Sequence, residues 1–159
     1  MRPLHVMRWL IAAGAGGIVF WLFQVLTGPV TIPQFMGQQI VAQGGYPLVL
    51  AVCVGWGVHL GVSLTYSLLF AVIVSLPLSR SPGSGLAIGA AIAAGLGWLT
   101  TLLTVPAIAV TISVLSGQGF PAELPSLNTT FGLPFWNHLI FFGVVWAVYL
   151  AIPPFHQRT

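Results

Sequence analysis

The chain has 159 residues, 57% of them hydrophobic and 3% charged, with a mean hydropathy of +1.02. A soluble domain devotes roughly a quarter of its residues to charge, so a water-solvated globule is excluded and an all-α integral membrane protein, one domain over 1–159, is expected. The formal charge of +3 comes from Arg2, Arg8, Arg80 and Arg158 against Glu123 alone, which offers nothing to nucleic acid.

The first apolar run predicts a membrane helix over about 7–26. Arg2 and Arg8 ahead of it resemble the start of a signal peptide. However, the run from Trp9 to Thr27 is ~19 residues, enough to span, and "TGPVTIP" is a poor cleavage site, so a retained helix is expected. Residues 29–45 place Gln34, Gln38, Gln39 and Gln43 at helical spacing beside Phe35, Met36, Ile40 and Val41. That pattern fits a short amphipathic helix on the outer surface and fits a polar loop equally well.

The second span is expected over about 47–77 and contains His59, with Gly57 and Gly61 four apart. Its single cysteine, Cys53, reads as a small apolar filler. The third is expected over about 85–115, kinked at Pro106, which lacks an N–H and clashes with the preceding turn. Both are ~30 residues, longer than the ~20 a span needs, and so must tilt, kink or project. The fourth is expected over about 134–152 and contains His138. Four spans put every arginine on one side and Glu123 on the other, so the positive-inside rule places both termini in the cytoplasm. The "NTT" sequon at 128–130 is a frequent chance match and carries no weight.

Lipid tails are as apolar as leucine, so small residues drive helix association in a bilayer. Gly57 and Gly61, Gly85 and Gly89, and Ala91 and Gly95 form such faces, and "AAGAGG" at 12–17 forms another. Gly57, Gly61, Gly85, Gly89 and Gly95 are therefore candidate packing positions, within this bundle first and against another subunit second.

An ionisable residue inside a span is a functional-site hypothesis. In this topology His59 and His138 lie on parallel helices in the outer half. Two neutral imidazoles could clamp a haem b iron. Yet the outer half has no Arg or Lys for propionates, while Ser63, Thr65, Tyr66, Trp136, Asn137 and the Thr100/Thr104/Thr111 stripe offer hydrogen bonds. Structural histidines are preferred. Ser63, four residues from His59, could suggest a nucleophile and base, but no acid orients the imidazole. No carboxylate lies in any span, and no metal-ligand, hydrolase or nucleotide motif occurs.

From about Gly55 to Tyr149 the chain resembles the YagU family of small bacterial inner-membrane proteins, through "GVHLGVSLTYSLLF", "SGLAIGAAIAAGLGWLTTLLTVPAI", "GFPAELP" and "FWNHLIFFGVVW". The distinctive positions are His59, Tyr66, Pro106, Pro125, His138 and Trp146. The resemblance implies a multi-pass protein of the bacterial inner membrane and no reaction. The expected function is a non-catalytic accessory subunit that packs against other membrane proteins or itself in the lipid bilayer. The alternatives are a haem b electron-transfer subunit using His59 and His138, and a small oligomeric channel or transporter.

Overall fold

The computed structural model describes residues 3–75 and 84–152. Long apolar runs without carboxylates can satisfy their backbone in lipid only as helices or closed barrels, and here they are helices. In chain order they are α1 (Pro3–Thr27), α2 (Ile32–Gly44), a 3-10 turn (Leu48–Leu50), α3 (Ala51–Val74), α4 (Ser84–Leu115) and α5 (Leu133–Ala151). Among the described residues, four segments are long and apolar enough to cross a membrane: Val6–Thr27, Leu48–Val74, Gly85–Leu115 and Leu133–Ala151. They match the expected spans; the end of the second, at 76–77, lies outside the described residues.

The glutamine-rich stretch 32–44 is a helix. Thr31 caps its N-terminus by accepting from the Gln34 N–H, Pro33 occupies the first turn, and Gly45 ends it at φ 66°, a left-handed conformation that suits glycine. Pro33, Met36, Gly37, Ile40 and Val41 are buried at helical spacing, whereas Gln34 and Gln38 face outward. At 13 residues α2 is too short to span. It packs on the start of α3 through two glycines: a Cβ on Gly37 would collide with the Ala51 carbonyl, and one on Gly55 with the Pro33 carbonyl.

The long helices form an open ring in the order α3, α1, α5, α4. The Trp9 indole donates to the Leu64 carbonyl at 2.8 Å, tying α1 to α3. Gly16 fits beneath Phe141 and Val145, bringing α1 against α5. Gly89 lies under the Trp146 indole and Gly97 against the Leu139 backbone, joining α4 to α5. Between α3 and α4 there is a seam. At one end it is closed by Phe70, which shares a cluster with Ala93, Leu96 and Phe142. At the other end α2 bridges it, with Met36 and Ile40 packed on Ile112 and flanked by Val54 and Val58.

Arg8 sits near the start of α1 and donates through Nη2 to the Tyr149 carbonyl, one of the last four of α5. Its guanidinium also lies 4.0 Å over the Tyr149 ring. A cation there satisfies an orphan carbonyl and complements the helix dipole. The contact also sets the start of the first long helix beside the end of the last. Arg2, Arg80 and Arg158, which carry the charge asymmetry, lie outside the described residues.

Pro106 sits inside α4 and cannot donate to the Leu102 carbonyl. The Asn128 N–H does so instead, at 3.0 Å. The connection between α4 and α5 is thus folded back along α4, and Phe131 stacks on Trp98 with centroids 4.8 Å apart.

Candidate functional site

Beneath α2, between the long helices, lies a cavity of about 130 Å³. Its walls are mostly apolar, with Phe20, Met36, Val62 and Phe141 among them, but His59, Tyr66, Asn137 and His138 also line it. Both sequence-predicted histidines therefore meet at one place.

His59 belongs to a buried stripe of α3 at four-residue spacing: Ala51, Gly55, His59, Ser63, Ser67. The small neighbours leave the imidazole free to reach across to α1. Gly17 allows the approach, since a Cβ there would lie 2.8 Å from the Ser63 hydroxyl. His59 Nε2 is 2.9 Å from the Gly17 carbonyl oxygen. The carbonyl can only accept, so Nε2 carries the proton and a neutral ring keeps its lone pair on Nδ1. His138 has the opposite tautomer. Its Nδ1 donates to the Pro134 carbonyl at 2.7 Å, one turn back on α5, and the lone pair of a neutral ring stays on Nε2. The expected side-chain partners are not the ones used; both bonds go to main-chain carbonyls.

The Phe20 ring lies between the two imidazoles, with centroids 5.5 Å from His59 and 5.6 Å from His138. Trp56 stands edge-on to His59 at 5.6 Å, and Tyr66 is 6.1 Å from His138. Asn137 is only 6% exposed, and its Oδ1 has no hydrogen-bond partner among the described residues. A buried amide left unpaired costs on the order of 1–3 kcal/mol. Native folds rarely leave such a group without a purpose. With the two imidazole lone pairs it gives the lining residues three acceptors, alongside the donor groups of the Tyr66 hydroxyl and the Asn137 amide nitrogen.

The hydroxyls of Ser63 and the threonines, and the Gln24 amide oxygen, are spent locally. The Ser63 hydroxyl donates to the His59 main-chain carbonyl at 2.8 Å, so it makes no nucleophile–base contact with the imidazole. Thr100, Thr104 and Thr111 each donate to the carbonyl four residues back. Gln24, 6% exposed, accepts from the Ile32 N–H at 2.9 Å and so holds the first turn of α2 in place. Sequence reasoning missed that role, although Gln24 is the one amide in the apolar run of α1. It also missed Phe20 as the wedge between the histidines, for which the sequence gives no signal. Cys53 is exposed and does not line the cavity. Among the described residues no three His, Cys, Asp or Glu side chains gather as a metal site would need.

The candidate packing glycines divide. Gly89 meets Trp146 within the chain, while Gly57, Gly61, Gly85 and Gly95 have nothing within 4 Å of a would-be Cβ among the described residues. Close approaches between helices are also made by Gly16, Gly17, Gly37, Gly55 and Gly97, which the four-residue spacings did not single out.

No family model, no curated protein and no solved structure matches this chain.

Proposed function

We propose that this chain is a non-catalytic, multi-pass protein of the bacterial inner membrane that holds a small neutral ligand in the cavity beneath α2. The observation that carries the reading is the buried Asn137 amide oxygen, without a partner among the described residues, in a mostly apolar pocket that His138 also lines. Pockets that bind small molecules have this make-up: apolar walls and a few convergent polar groups. The cavity-lining residues include no carboxylate to drive acid–base chemistry, which supports binding rather than turnover. The arginine asymmetry of the sequence supports cytoplasmic termini, with the cavity in the outer half. The YagU-like assignment rests on the sequence blocks alone.

An accessory role, with a second copy or another membrane subunit as partner, is favoured by one further feature. Gly57 and Gly61 on α3, and Gly85 and Gly95 on α4, present smooth outward faces to the bilayer. Haem b is the weaker reading. Phe20 occupies the space between the imidazoles, Nε2 of His59 is committed to Gly17, and about 130 Å³ is too small for a macrocycle. A cavity of ~150 Å³ holds one benzene. A channel through the bundle is disfavoured by α2, whose Ile32 and Met36 roof the cavity.

The test is nitrogen NMR of [15N]histidine-labelled protein in lipid nanodiscs, with phenol as probe. A hydrogen bond from phenol should move the unprotonated Nε2 resonance of His138. No movement at saturating phenol removes the ligand-holding reading.

A further inference from the structure

The seam between α3 and α4 gives the cavity a direction. Val62 on α3 and Ala107 on α4 both line it, and both are exposed on the outer face of the bundle. The side facing the connecting loops is closed, because Met36 is 2% exposed and Gln24 pins the start of α2 over the opening. The cavity therefore communicates with what surrounds the helices rather than with what lies beyond their ends. Val58, Val62, Ala107 and Ile108 supply apolar lining on the two seam helices, which also contribute His59, Tyr66 and Thr104, while Asn137 and His138 stand on α5, across the ring from α3.

We infer that the cavity is loaded sideways from the bilayer, through the α3/α4 seam, by an amphiphile whose head is a single hydroxyl-bearing ring and whose apolar tail stays in the lipid. The inference rests on the ligand-holding reading above. Head size follows from volume, since about 130 Å³ is close to the ~150 Å³ that accommodates benzene. A flat ring suits walls built from Phe20, Tyr66, Phe141 and the two imidazoles, which offer faces and edges on several sides. The hydroxyl follows from the acceptors: the Asn137 oxygen and His138 Nε2 both lack a proton and need a donor. Charge is excluded from the head, because among the described residues no Asp, Glu, Lys or Arg lines the cavity to pair with it.

The experiment titrates phenol, 4-nonylphenol and 4-nonylanisole into [15N]histidine-labelled protein in nanodiscs, following His138 Nε2. It is repeated with Ala107→Phe, a bulky residue on an exposed seam position. Phenol and 4-nonylphenol should both bind, and 4-nonylanisole, which cannot donate, should bind roughly tenfold more weakly, about the worth of one hydrogen bond. Ala107→Phe, at a residue that itself lines the cavity, should weaken 4-nonylphenol by a similar factor more than it weakens phenol, because only the nonyl chain occupies the seam; an equal loss of both would overturn sideways loading. If phenol binds but 4-nonylphenol does not, or if Ala107→Phe leaves 4-nonylphenol unaffected, sideways loading is overturned while the ligand-holding reading stands. Equal binding of the anisole overturns the hydroxyl assignment. If none of the three moves the resonance, the cavity holds water alone and both readings fall.

Discussion

Replacing Asn137 by leucine should stabilise the ligand-free protein. The amide is 6% exposed, and its oxygen has no partner among the described residues. Leucine is close to it in size and brings no polar atom to bury. Removing an unpaired buried polar group recovers on the order of 1–3 kcal/mol. In a membrane the unfolded chain also finds partners for such groups, which pulls the figure toward about 1 kcal/mol. Neighbouring His138 provides the contrast. Its ring makes a 2.7 Å bond to the Pro134 carbonyl, so His138→Leu forfeits a bond that Asn137→Leu does not. Reversible unfolding in mixed detergent micelles, followed by tryptophan fluorescence, ranks the two against the wild type. Asn137→Leu should unfold at higher denaturant and His138→Leu at lower. An Asn137→Leu protein less stable than wild type by 1 kcal/mol or more would show that the amide is already satisfied, and the argument for a ligand would lose its basis.

Gly37→Ala should weaken the bundle by at least the ~1–3 kcal/mol typical of overpacking, since the new methyl meets the Ala51 carbonyl. Gly95→Ala, with open space around it, should instead stabilise by roughly 0.5–1 kcal/mol through helix propensity; the same unfolding assay reads both, and like signs would contradict the packing described. His59→Gln, which keeps a donor for the Gly17 carbonyl, should cost less than His59→Leu; the reverse order would show that the bond contributes nothing. Single-cysteine labelling in a Cys53→Ser background should find position 123 accessible from the periplasm and position 80 from the cytoplasm. Labelling at 123 only after the inner membrane is opened would invert the topology.

The four spans were legible because hydropathy is a sum over twenty residues and tolerates local error. The helix at 32–44 was half legible. The glutamine spacing suggested it, but a polar loop could not be set aside until the contacts of Gly37 and Gly55 with facing carbonyls came into view. The parallel run of their helices raised a common site for the histidines only through the haem alternative; that both line one cavity needs the fold. Their bonds were not legible: Gly17 and Pro134 carbonyls accept them, and a carbonyl leaves no mark in a sequence because every residue has one. The glycines mislead for a similar reason. A four-residue spacing marks a smooth face without saying what lies against it, so Gly89 finds Trp146 while Gly57, Gly61, Gly85 and Gly95 meet nothing among the described residues. Pro106 was read as a kink, whereas its further effect, freeing the Leu102 carbonyl for Asn128, needs the loop's path to be known.

The most direct measurement of whether the cavity is a ligand site is the stability of the purified protein as a function of phenol concentration. A ligand that binds only the folded state adds about 2.7 kcal/mol at one hundred times its dissociation constant. The wild type should therefore gain stability along a saturating curve, and the Asn137→Leu/His138→Leu double variant, which lacks both acceptors, should gain far less. A wild type whose stability falls or stays flat with phenol, or a double variant that gains as much, would contradict the cavity's role.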